Sequence, residues 1–156
     1  MVVVGKESRP GVREVEKGAI RRFAEALGET NPIYFDDSAA RAAGYRAVVA
    51  PPVFASTLKA GSDLVGEVIA GKQVLLAEQA FELTRPLVAG DVVTVRARVA
   101  DVQTRPLPVG VAETVIIEHE GVESGGDIVF RGRSTFVLRA YRDGPTGGRT
   151  PAGELT

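Results

Sequence analysis

The 156-residue sequence has no cysteine, no tryptophan and one histidine. Without cysteine there is no disulfide, no thiolate nucleophile and no zinc–thiolate site, which suits a reducing cytosol. One histidine excludes motifs built on paired imidazole ligands, and no pattern calls for a metal or a nucleotide cofactor; none is expected. A dominant charge is missing too: 19 Lys and Arg face 20 Asp and Glu, for a formal net charge of −1. With no basic field to gather phosphates, nucleic acid is not an expected partner. The opening apolar run, residues 1–4, is far too short for a signal peptide, and no later run could cross a bilayer. These absences together predict a cytoplasmic protein that engages neither nucleic acid nor membrane.

What is present suffices for one domain with one core. Residues 12–15 read as a short strand or an extended lead-in. Ile20, Phe23, Ala24 and Leu27 then recur at helical spacing while Arg21, Arg22 and Glu25 take the other side, and Gly28 stands where a left-handed cap belongs. Pro32 lacks an N–H and pushes Asn31 into an extended conformation, so residues 29–36 form a loop. Asp37 or Ser38 caps a short alanine-rich helix that Gly44 ends. After Pro51 and Pro52, Phe54, Leu58, Gly61, Val65 and Val68 recur at spacings of three and four, predicting a helix over 53–70 with room for a break near Gly61.

From Val74 the period changes to two. Arg85-Pro86 and Gly90-Asp91 read as turn chemistry joining residues 74–83 and 92–102 into a long hairpin. Residues 111–120 form a further strand, and the chain turns over 121–126. In the last strand Ile128, Phe130, Phe136, Leu138 and Ala140 share one face, with Arg131, Arg133, Thr135 and Arg139 on the other. The domain is expected to occupy residues 1–142, with a disordered tail at 143–156 that is rich in Gly, Pro and Thr. Helices first and antiparallel strands after predict the α+β class, with a sheet wrapped around the helix at 52–70.

The stretch Gly28-Glu29-Thr30-Asn31-Pro32-Ile33-Tyr34-Phe35-Asp36-Asp37 resembles the signature of the MaoC-like hydratases and dehydratases, typically Gly-Asp-x-Asn-Pro-(Leu or Ile)-His. Similar segments continue through Ala39 to Tyr45, Val49 to Phe54 and Glu78 to Asp91, so the resemblance covers about residues 12–141. It implies a hot dog fold, an antiparallel sheet around a central helix, and water addition or removal across the 2,3 bond of an acyl thioester on coenzyme A or an acyl carrier protein. Two positions depart from it. Glu29 stands where the family has its catalytic Asp, and Tyr34 where it has its catalytic His.

That reaction needs a general base at carbon 2, a proton donor for the leaving hydroxyl, and N–H donors aimed at the thioester oxygen. The resemblance places those donors at Val53, Phe54 and Ala55, an acyl pocket around Phe54, Leu58 and Phe81, and a further substrate contact at Asn31 of the motif loop. Glu29 is one methylene longer than Asp, and a phenol titrating near pH ~10 does not take up a proton near neutrality as imidazole does. Glu29 and Tyr34 therefore read as remnants of the dyad. Asn31 also has a purely local role, capping its own loop. His119 reads as a strand-end histidine beside Glu118 and Glu120, and Arg131, Arg133 and Arg139 as a solvated strand face.

A chain with the scaffold and without the Asp and His is similar to the accessory subunit of the two-subunit (3R)-hydroxyacyl-carrier-protein dehydratases. In that case a hot dog partner with an intact motif supplies the dyad, the two pair through a sheet edge, and this chain alone is weak or inactive. Two alternatives stay open: a homodimeric dehydratase or thioesterase using Glu29 with Tyr34 or Asp36, and a non-catalytic acyl-thioester binding protein.

Overall fold

A computed structural model describes residues 2–58, 62–108 and 110–140. The expected tail and Gly61 lie outside the described residues. Strand β1 (Gly11–Glu14) leads into helix α1 (Lys17–Leu27), whose Ile20 and Ala24 are fully buried as their spacing required. Phe23, on the same face, meets the Phe54 ring edge-on, with centroids 5.4 Å apart. Leu27 departs from the pattern at 50% exposure. Gly28 ends the helix with φ 72°, its N–H bonded to Glu25 O at 3.0 Å.

Helix α2 (Asp37–Ala42) is capped one residue earlier than the sequence suggested. Asp36 accepts from the Ala39 N–H at 2.7 Å, whereas Asp37 accepts from the Val48 N–H at 3.1 Å and pairs with Lys17. Asp37 is drawn away by a contact eleven residues along the chain, leaving the capping to Asp36. Asp36→Ala is expected to cost about 1 kcal/mol, read as a shift in the denaturant midpoint at constant slope.

The long helix expected over 53–70 is not continuous. Residues Pro52–Thr57 form a 3₁₀ turn, Leu58 leaves helical geometry at ψ 66°, and helix α3 spans Ser62–Ile69. The predicted apolar face survives the break: Phe54, Leu58 and Val68 are buried, and Leu64 joins them.

Strands β2 (Lys72–Leu83), β3 (Val92–Pro106), β4 (Val111–Glu123) and β5 (Ile128–Ala140) complete an antiparallel five-stranded sheet of order β1-β3-β4-β5-β2. This corrects the expected hairpin, because β2 pairs with β5, and β3 pairs with β1 and β4. The connection over 84–91 crosses from one side of the sheet to the other.

Gly121, expected in a turn, lies inside β4 directly opposite Phe130. A Cβ there would fall 2.2 Å from the Phe130 ring, so only glycine lets that ring lie flat across the strand. Phe81 lies over Gly132 in the same way. The helices and turns cover one face of the sheet in two apolar clusters, one around Ile20, Phe54, Val95 and Phe130, the other around Leu64, Val99, Ile117 and Leu138.

Candidate active site

The motif loop is built by local chemistry. Glu29 N–H bonds to Ala24 O at 3.0 Å, closing the end of α1. Asn31 is extended, as a residue before proline must be, and its side chain accepts from the Ile33 N–H at 3.2 Å. Pro32–Tyr34 then make one 3₁₀ turn. The local capping role predicted for Asn31 is therefore present, and its side chain is exposed.

Nonlocal bonds fix the loop against the body. Ile33 O accepts from the Val49 N–H at 3.0 Å, and residues 48–50 in turn bond to Leu87, Val88 and Ala89. The 87–89 segment is held by Asp91, whose carboxylate is buried at 4% exposure. It accepts from Arg85 Nη1 at 2.7 Å, from the Val88 N–H at 2.9 Å and from Arg46, while Arg85 Nη2 reaches Glu123 at 2.9 Å. Burial pushes the Asp91 carboxyl up, but Arg85, the Val88 N–H and the charge of Arg46 outweigh it and hold it below the usual range. Arg85-Pro86 and Gly90-Asp91 read in the sequence first as turn chemistry, and no local signal joins them to Arg46 and Glu123. A cavity of about 700 Å³ opens beside this cluster, bounded by Tyr45, Arg46 and Arg85.

Glu29 is exposed and Tyr34 half-buried. Burial raises the Tyr34 phenol above its ordinary 10.0, and the charges of Glu29 and Tyr45 raise it further. The carboxylate thus stabilises the protonated phenol, so near neutrality Tyr34 can donate a hydrogen bond but cannot act as a base.

Phe54, Ala55 and Leu58 share the first apolar cluster, and Phe81 packs against it, edge-on to Phe130 with centroids 6.3 Å apart. The structure therefore brings these four together. Val53 is half-exposed at 51% and stands apart with Asn31 at the surface. Of the three expected N–H donors, that of Phe54 is turned back onto Pro51 O at 2.8 Å.

His119 requires a correction. Because β4 runs on to Glu123, His119 is mid-strand and partly buried, with Nε2 3.3 Å from Ser134 Oγ. Ser134 is buried and accepts from Gln79 Nε2 at 3.2 Å. The alternation with Val115 and Ile117 was the signal for its inward direction; the neighbouring glutamates misled. Among the described residues no group of three or more His, Asp and Glu side chains is arranged to hold a metal ion. None of their helices is long and apolar enough to cross a membrane.

Residues 2–131 match the family described as the FAS1-like dehydratase domain region. The chain belongs to that family. A UPF0336 protein of Streptomyces avermitilis is 36% identical over 136 residues, covering 84% of this chain and 88% of the relative. A chain of the HadBC (3R-hydroxyacyl-ACP dehydratase) complex from Mycobacterium tuberculosis superposes with a TM-score of 0.75 at 23% identity, covering 88% of this chain and 98% of that one. One from the ChsH1-ChsH2 complex of the same organism gives a TM-score of 0.71 at 26% identity, covering 89% and 87%. The fold of this FAS1-like dehydratase-region protein is the MaoC-like hot dog, of the α+β class.

Proposed function

We propose that the chain is the accessory subunit of a (3R)-hydroxyacyl-thioester dehydratase or enoyl hydratase acting on acyl-CoA or an acyl-carrier-protein thioester. It shapes the acyl pocket while a second hot dog subunit supplies the Asp and His. The observation that carries this reading is Tyr34, a phenol, protonated near neutrality, where the reaction needs an imidazole; burial and the charge of Glu29 only push its titration further up. Phe54 and Leu58 are buried in the first apolar cluster, and Phe81, partly buried against it, is the one of the three that offers an acyl tail accessible apolar surface.

The similarity to chains from two named two-component complexes, HadBC and ChsH1-ChsH2, supports a hot dog pair. So does β2, an edge strand of 12 residues bonded on one side to β5. Val74, Leu75 and Leu76 on it are 43%, 62% and 46% exposed, and a long apolar edge favours pairing with another strand.

Hydration of a short trans-2-enoyl thioester, followed by loss of the conjugated enoyl absorbance, tests the proposal. The purified chain alone is expected to show no turnover above the buffer rate. Adding a hot dog subunit with the intact motif is expected to raise the rate by more than about 10²-fold, the usual weight of a positioned acid–base pair. Clear turnover by the chain alone, lost in Glu29→Gln, would replace this reading with a homodimeric enzyme. Saturable thioester binding with no turnover in any pairing would make it a binding protein.

A further inference from the structure

The sheet face opposite the helices carries a groove of about 650 Å³ that runs across the strands. Its floor is the backbone of Ala97, His119, Gly132 and Phe81, a row in direct cross-strand register. One wall is the register row Arg96, Glu120, Arg131 and Glu82. The other is Arg98, Glu118 and Arg133, extended by Glu7.

Each strand therefore shows a single sign on both walls. Strand β3 is positive, β4 negative, β5 positive, and β2 negative through Glu82. Neighbouring stripes of opposite sign lie one strand spacing, about 4.8 Å, apart, so each sign recurs every second strand. Within the chain Arg98 pairs with Glu118 at 2.7 Å and Arg131 lies 3.6 Å from Glu120. Arg96, Arg133 and Glu82 have no ion-pair partner among the described residues.

A partner of one charge does not fit a face whose signs alternate and cancel. A surface with the same period displaced by one strand does, and another copy of this face is such a surface. We propose that this face docks on a second copy of the chain, about a two-fold axis parallel to the strands and midway between β4 and β5. That operation keeps each residue's height along the strand and sets β4 over β5 and β3 over β2 of the second copy. Arg96 then meets the Glu82 position, Glu120 the Arg131 position and Glu118 the Arg133 position, each contact occurring twice. All three unpaired charges find partners. A two-fold axis perpendicular to the strands would set every strand over itself, with like charge on like.

Sheets pack face to face about 10 Å apart, a gap that extended Arg and Glu side chains span. The proposal does not depend on the accessory-subunit reading. It also leaves the β2 edge open, because Glu82 projects from the face of the sheet.

The test is a charge swap read by light-scattering mass of the full chain over a dilution series. Wild type is expected to reach twice the mass of the fully diluted species, and to dissociate when salt shortens the screening length from about 10 Å at 0.1 M to about 3 Å at 1 M. Arg96→Glu and Glu82→Arg are each expected to weaken this association at least about tenfold, since each sets like charges together at two contacts. The double variant R96E/E82R is expected to recover it to within about threefold. Within one chain the two residues lie three strand spacings apart, about 14 Å, too far for an intramolecular rescue at moderate salt. Both are exposed, and circular dichroism confirms that each variant is folded. A wild-type mass independent of concentration and salt, unchanged association in the single variants, or no recovery in the double variant would each overturn the proposal.

Discussion

Replacing Asp91 by alanine is expected to cost about 3 kcal/mol of stability, a large share of the roughly 5–15 kcal/mol that holds a domain of this size together. The loss leaves the Val88 N–H buried without its acceptor, alone worth about 1–3 kcal/mol. Arg85 and Arg46 are 37% and 60% exposed, so water recovers part of what they lose and keeps the cost at the lower end of the range for a broken buried pair. Urea unfolding measures this directly, and a change under about 1 kcal/mol would show the carboxylate to be a bystander.

Asp91 also gives the protein an acid dependence of defined sign. Its carboxyl titrates lower in the folded chain than when unfolded, so the unfolded state binds more protons below the unfolded value of about 3.9. The stabilisation is complete above about pH 5 and is lost as pH falls through the folded value. Asp91→Asn removes this contribution, so its stability should fall less steeply than that of wild type between about pH 5 and pH 2. The motif loop should loosen with it, because the loop rests on residues 48–50, which rest on the segment Asp91 holds.

The second large effect is expected at Gly121. A β-carbon 2.2 Å from the fully buried Phe130 ring cannot be accommodated unless the ring moves. Gly121→Ala should therefore cost about 3 kcal/mol, at the upper end of overpacking penalties. In a Phe130→Leu background the same substitution should cost at least about 1 kcal/mol less, because the atoms it collides with are gone. Additivity of the two changes within about 0.5 kcal/mol would mean that the close approach carries no such coupling.

Neither residue's role was legible in the sequence. A glycine followed by Val122, in a stretch ending Glu-Ser-Gly-Gly, reads as a turn, and nothing local reveals that it faces a phenylalanine nine residues on across a strand pair. Asp91 after glycine reads the same way, although its partners stand at 46, 85, 88 and, through Arg85, 123. His119 was misjudged for a related reason: its charged neighbours suggested a strand end, whereas β4 continues three residues beyond Glu120.

The sequence by itself determined helix α1 and its Gly28 cap, the extended Asn31 and the turn behind it, and the two-faced β5. Each follows from periodicity, backbone restriction or residue identity within a few neighbours. Only the tertiary structure decided that β2 lies beside β5 rather than β3, that the 53–70 helix breaks at Leu58, that Asp36 caps α2, and that Tyr34 is half-buried within reach of the Glu29 charge. Those outcomes depend on which distant segments meet, and that is settled by the joint burial of one apolar face of the sheet and by nonlocal hydrogen bonds, which no window of the sequence contains.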